Sequence, residues 1–291
     1  MTTVDHVSRE LRLRPRVALL SAGAGVLLFG AIVLESVGTR ASVDEVTAQL
    51  LAIHDRTGLQ ILGGVVNGLG MIALAATLAF LFTAAKARRP ETAQGTLIAA
   101  VAGACLAAIA GVASSVVLVS KANDFAAHGA QTYPQANALL STPTVTVPQY
   151  LSLLGALGLA VGFVLISLNA MRVGLLPKFL GYLGIAAAVA AVFFAGAGGI
   201  GLLIEVAWLF ALAYLLGGRW PNGDPPAWRT GQAVPWPSNA ELREQRQRGA
   251  GRNGAAAKPA RKTDRTPAEP VAAATTVTRA TTPKRKRKRR K

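Results

Sequence analysis

The chain has 291 residues, of which 52% are hydrophobic and 15% charged, with a formal net charge of +17. A soluble globular domain carries about 25% charged residues, so this composition excludes an ordinary soluble enzyme fold. The charge is concentrated at one end: 19 Lys+Arg and 5 Asp+Glu fall from Arg219 onward, and everything before it carries a net charge of only +3. The single cysteine, Cys105, lies in an apolar run, which excludes an intramolecular disulfide and favours a small packing residue.

Residues 1–16 are polar and contain Arg9, Arg12, Arg14 and Arg16. Val17–Leu34 carries no charge and predicts a first membrane span at 17–36, since about 20 apolar residues cross the ~30 Å hydrocarbon core as a helix. The run exceeds the 7–15 residues of a signal-peptide core, so it reads as an uncleaved helix. Val43, Val46, Leu50 and Ile53 form a helical stripe. They predict a short amphipathic helix on the membrane surface, opened by a Ser42/Glu45 capping box.

A second span is expected at 58–84, a basic turn at Lys86, Arg88, Arg89 and Pro90, and a third span at 95–120. Residues 121–148 read as a polar loop, because Pro134, Pro143 and Pro148 argue against a spanning helix. A fourth span follows at 149–171, then a short basic turn from Arg172 to Lys178. Phe179–Gly218 is apolar except for Glu205. As one helix it would be about twice as long as the membrane is thick, so it should break near Gly196–Gly201 into two spans. The expected fold is therefore all-α: a polytopic bundle of six transmembrane helices at 17–218, between a basic segment at 1–16 and a disordered, basic Pro/Ala-rich tail at 219–291.

Small residues recur every four positions in the third span, at Gly103, Ala107, Gly111 and Ser115, with Gly64/Gly68 and Gly158/Gly162 in the second and fourth. That spacing lets helices approach closely, within one bundle or across a dimer.

Buried polar residues are the place to look for function. Glu205 enters the sixth span about six residues from its start, with Trp208 one turn on. A carboxylate in hydrocarbon is costly, so it should face the bundle interior and there hold a proton or meet a partner. Depth counting offers neighbours: Asn67 about nine residues into the second span from the outer side, Glu35 near the outer end of the first, Ser114 and Ser115 toward the outer end of the third, and His54 and Gln60 flanking the outer entry to the second. Together they predict a polar pocket open to the outer leaflet, either a ligand- or proton-linked site or a structural hydrogen-bond cluster. No catalytic residues, metal ligands or cofactor motif are expected. There is no H-E-x-x-H, Cys/His cluster, G-x-S-x-G or P-loop.

The chain ends in Lys284, Arg285, Lys286, Arg287, Lys288, Arg289, Arg290 and Lys291. Such a run is attracted to an anionic inner leaflet, and an acidic cytoplasmic protein or nucleic acid would satisfy the same charge.

Leu176-Pro177-Lys178-Phe179-Leu180-Gly181-Tyr182-Leu183-Gly184 leads into the fifth span, and Glu205 and Trp208 follow in the sixth. This arrangement resembles a bacterial family of six-helix integral membrane proteins of unknown function, over roughly residues 17–218. The resemblance implies the fold and no activity. The leading expectation is a non-enzymatic anchoring or organising protein whose tail contacts anionic lipid or a cytoplasmic partner. The alternative is a small transporter or ligand-binding protein using the pocket around Glu205; a membrane-embedded enzyme stands third.

Eleven basic residues lie near the N-terminus, the two short turns and the start of the tail, against three (Arg40, Arg56 and Lys121) on the opposite side. The positive-inside rule then puts both termini in the cytoplasm, in the plasma membrane. In a Cys105→Ala background, a cysteine at position 130 should react with an impermeant thiol reagent applied from outside. Labelling from the cytoplasmic side alone would reverse the orientation.

Overall fold

The computed structural model describes residues 3–38, 46–193, 200–221, 223–234 and 243. The chain divides into two units, 1–237 and 238–291. The second has only Arg243 among the described residues, and every element named below belongs to the first. The described residues form helices and no strands: α1 (Thr3–Gly38), α2 (Val46–Asp55), α3 (Thr57–Arg88), α4 (Gln94–Ala127), α5 (Tyr133–Leu140), α6 (Pro143–Arg172), α7 (Lys178–Phe193), α8 (Ile200–Leu216) and α9 (Pro226–Thr230).

Four helices are long and apolar enough to cross a membrane, over Val7–Ser36, Thr57–Arg88, Gln94–Ala127 and Pro143–Arg172. Their outward faces carry large apolar side chains, among them Leu19 and Phe29, Leu62 and Leu69, Ile98 and Ile109, and Leu154 and Val161. Such a surface marks contact with lipid rather than water. The protein is thus a helical membrane protein. The fifth and sixth expected spans differ from the other four: α7 has 16 residues and α8 has 17, about 24–26 Å each, slightly short of the hydrocarbon core.

Six helices close into a ring. α1 packs on α3, α3 on α4, α4 on α6, α6 on α7, α7 on α8, and α8 back on α1. The α3–α4 and α6–α7 connections are short, as expected for antiparallel neighbours. The α4–α6 contact is the closest. A Cβ added at Gly103 would collide with the backbone nitrogen of Leu159 and lie 2.7 Å from the Gly155 carbonyl oxygen. One at Gly155 would lie 2.8 Å from the Gly103 carbonyl oxygen, and one at Gly162 would lie 2.6 Å from the Cα of Ala100. The four-residue spacing therefore serves packing within the bundle, though not along its whole length. Gly111 faces open space, and Ser115 turns toward Gly64 of α3. On the other side of the ring, Ser21 Oγ donates to the Leu209 carbonyl at 2.8 Å, tying α1 to α8.

Several sequence expectations need correcting. α1 covers Thr3–Gly38, so residues 3–16 of the expected basic segment are helical and continuous with the first span. The amphipathic stripe is not merely laid on a surface: Leu50 and Ile53 are buried in a second core with Val119, Ala122, Phe125 and Ala136. Its expected cap, Ser42 with Glu45, lies outside the described residues. The proline-rich loop contains α5, and α6 starts at Pro143 rather than 149. Pro134 and Pro143 occupy first-turn positions, where the missing N–H costs nothing.

The largest correction is the start of the tail. Residues 219–221 and 223–234 belong to the compact unit, and Trp228 is 1% exposed. Trp228 stacks on Phe80 with centroids 5.8 Å apart and planes 8° from parallel. Arg14 and Arg88 both lie over its ring, at 5.2 and 5.4 Å, and its Nε1 donates to the Leu175 carbonyl at 3.0 Å. Arg88 also donates to the Ala227 carbonyl and grips both carboxylate oxygens of Glu10, at 3.0 and 2.7 Å. Arg14 grips Asp224 in the same two-pronged way, at 3.2 and 2.8 Å. That hydrogen bond holds the Asp224 carboxyl below the usual carboxylate range against the opposing effect of burial, with the Arg14 and Arg229 charges acting in the same direction as the bond. Gly231, with φ of 67°, ends α9 in the left-handed cap that glycine adopts without strain. Apart from Arg243, the rest of the expected tail, including Lys284–Lys291, lies outside the described residues.

The α4–α6 contact makes a direct prediction. Gly103→Ala should force two backbones apart and cost about 1–3 kcal/mol. Gly111→Ala meets nothing and should be neutral or stabilising by up to about 1 kcal/mol. Thermal unfolding of the two variants in detergent should separate them by several degrees; equal melting temperatures would contradict the packing described.

Candidate functional site

All six helices of the ring contribute to one internal cavity of about 250 Å³. Glu35 reaches it from α1, Asn67 and Met71 from α3, and Ala107 from α4. Ala156, Leu159, Ala160 and Phe163 line it from α6, Ala188 and Ala191 from α7, and Leu202 and Glu205 from α8. It lies toward the end of the ring where α1 and α7 finish and α8 begins. Its walls are small and apolar, and its polar groups are two carboxyls and one amide. Among the described residues no basic side chain lines it.

Local sequence explains the placement. Glu205 lies in a helix that is otherwise wholly apolar, IGLLIEVAWLFALAYLL. Turning it toward the ring interior is the orientation that keeps a carboxyl out of lipid, and it is 2% exposed. Glu35 sits within a turn of the end of α1, where its Cγ lies 3.3 Å from the Cβ position of Gly63. Asn67 follows Gly63 and Gly64 by one turn, and those glycines bring α3 close to α1 and α4.

The polar atoms are not all satisfied. Glu205 Oε1 and Asn67 Oδ1 are buried and have no hydrogen-bond partner among the described residues. Both are acceptor positions, and a buried acceptor without a donor costs about 1–3 kcal/mol. A hydrogen-bond cluster that only fixed helix register would supply a donor to each such acceptor.

Three of the five pocket residues expected from sequence thus meet in one cavity: Glu205, Glu35 and Asn67. The other two do not line it. Trp208 is fully buried behind the wall, where its Nε1 donates to the Leu180 carbonyl at 3.0 Å and its ring meets Phe163 edge-on at 4.5 Å. Its indole therefore holds α7 to α8 and backs a lining residue. Ser115 Oγ donates to the Gly111 carbonyl of its own helix at 3.2 Å and packs against Gly64. Ser114 Oγ is buried without a partner, and His54 Nδ1 is 2.7 Å from Asn123 Oδ1. Sequence reasoning missed Met71 and Phe163, whose apolar runs give no sign of which face turns inward. It also missed Ser167, whose buried Oγ has no hydrogen-bond partner among the described residues. No group of three or more His, Cys, Asp or Glu among the described residues is placed to hold a metal ion.

Comparison with known proteins gives one positive result. The family described as Domain of unknown function (DUF4386) matches residues 22–221. No curated protein and no solved structure matches the chain. The matched stretch contains every residue that lines the cavity and stops short of α9. The chain belongs to the DUF4386 family of unknown function.

Proposed function

We propose that this is a small-solute binding or transport protein of the membrane, and that its ring cavity takes a small cation, either a monovalent metal ion or a compact ammonium. The observation that carries the reading is the pair of unpartnered buried acceptors, Glu205 Oε1 and Asn67 Oδ1, facing a cavity that Glu35 also lines. Glu205 and Asn67 offer unpartnered acceptors in an apolar wall where Glu35 adds a second carboxyl, and a cation supplies what Glu205 and Asn67 lack. The volume of about 250 Å³ has room for a hydrated ion or a small organic cation, since a cavity of about 150 Å³ already holds benzene. Of the two functional readings open from sequence, this one is favoured over pure anchoring because Glu205 faces a cavity and not a dry helix contact.

In this proposal all six ring helices span the plasma membrane, α7 and α8 as a short hairpin, with both termini cytoplasmic. The terminal run Lys284–Lys291 belongs to the proposal as a separate element. Eight consecutive basic residues, tethered to the bilayer, favour an anionic inner leaflet; an acidic protein or nucleic acid is the competing partner.

The test is ligand-dependent stability. The purified protein in detergent would be melted in sodium, potassium, methylammonium and guanidinium chlorides, with N-methylglucamine chloride as the bulky control at equal ionic strength. At least one small cation should raise the melting temperature saturably, as binding to the native state requires. Glu205→Gln keeps the shape and removes the charge, and should weaken that cation at least tenfold, about 1.4 kcal/mol. A response no greater than the control, or one unchanged in Glu205→Gln, would end this reading.

A further inference from the structure

At the opposite end of the ring, a second cleft of about 420 Å³ lies between α1 and α3. Arg9 and Leu13, one turn apart, form its α1 side; Phe80, Thr83 and Lys86 form its α3 side. From this arrangement we infer that the cleft is a binding site for the phosphate head group of an anionic phospholipid.

Three observations converge on that ligand. The first is charge. Glu10 also borders the cleft, but Arg88 occupies both of its carboxylate oxygens. Among the described residues no carboxylate pairs with Arg9 or Lys86. The cleft therefore presents two unneutralised cations, a set suited to a phosphodiester, while the Thr83 hydroxyl at its edge donates to the Phe80 carbonyl at 2.9 Å. The second is position. Thr83 continues the exposed face of α3 that carries Leu62, Leu69 and Ile72. A head group in the cleft thus has its acyl chains directed along a surface already built for hydrocarbon, and basic pockets between helices at a membrane boundary are where acidic head groups bind. The third is rigidity. The apolar floor is not loose, because Phe80 is stacked on the buried Trp228 ring. Lys86 is held near the mouth by the Gln94 side-chain oxygen and lies 5.7 Å from the centre of the Phe82 ring.

The test uses the full-length protein in detergent, titrated with phosphatidylglycerol, phosphatidylcholine or water-soluble glycerol 3-phosphate. Retained lipid is read by native mass spectrometry and the melting temperature is followed in parallel. Phosphatidylglycerol should bind at least tenfold more tightly than phosphatidylcholine. Arg9→Gln with Lys86→Gln should weaken phosphatidylglycerol at least fivefold. Arg12→Gln with Arg89→Gln, which removes the same charge from the same end but outside the cleft, should weaken it less than twofold. Should the first double variant fold poorly, Thr83→Phe fills the cleft from an exposed position with both cations intact, and should give the same fivefold loss. Equal binding of the two lipids, equal losses in the two double variants, or full binding by Thr83→Phe would each overturn the inference. Glycerol 3-phosphate binding as tightly as the lipid would replace it with a soluble-phosphate site.

Discussion

Helices in hydrocarbon gain nothing from burying leucine against leucine, because lipid is equally apolar. Close backbone approach takes over that role, and in this chain it is concentrated where α4 meets α6. Gly103, Gly155 and Gly162 leave no room for a single added carbon, so dispersion contacts run along both backbones. The same small-residue faces also create the cavity. Ala107, Ala156, Ala160, Ala188 and Ala191 allow six helices to converge, yet are too short to fill the space where they do.

The two ends of the ring are built differently. One holds the cavity with its carboxyls. The other is closed by a segment from beyond the last ring helix, which brings Trp228 between Arg14 and Arg88. Each arginine is held in turn by a carboxylate, Asp224 or Glu10. Removing one partner of such a buried, mutually hydrogen-bonded set strands the other, so the group holds together as a unit. It also fixes the floor of the basic cleft through Phe80, so the closure and the proposed lipid site share a foundation.

Hydropathy and length make the long helices readable from the order of amino acids alone, because a membrane imposes one span length on every helix that crosses it. Depth counting also brings Glu205, Glu35 and Asn67 together, since residues at equal depth in neighbouring helices can meet. It fails for Ser115 and Trp208 because depth carries no information about rotation. Ser115 faces α3 rather than the ring centre, and Trp208 turns toward the Leu180 carbonyl. The closure is not readable at all. Arg14 and Asp224 are 210 positions apart, and a Trp/Pro-rich stretch without apolar periodicity looks the same whether it dangles or docks. Prolines mislead for a related reason: Pro143 at a first helical position begins a helix, and α6 runs on through Pro148 in its interior.

Whether a cation occupies the space between Glu205, Glu35 and Asn67 decides how the ring works. The most direct measurement is an experimentally phased structure of the protein equilibrated in rubidium chloride, with the anomalous signal used to locate the ion. A peak is expected inside the ring cavity, within coordination distance of a Glu205 carboxylate oxygen and the Asn67 side-chain oxygen. A cavity without such a peak, with each of those two acceptors taking a hydrogen bond from a neighbouring donor, would contradict cation binding.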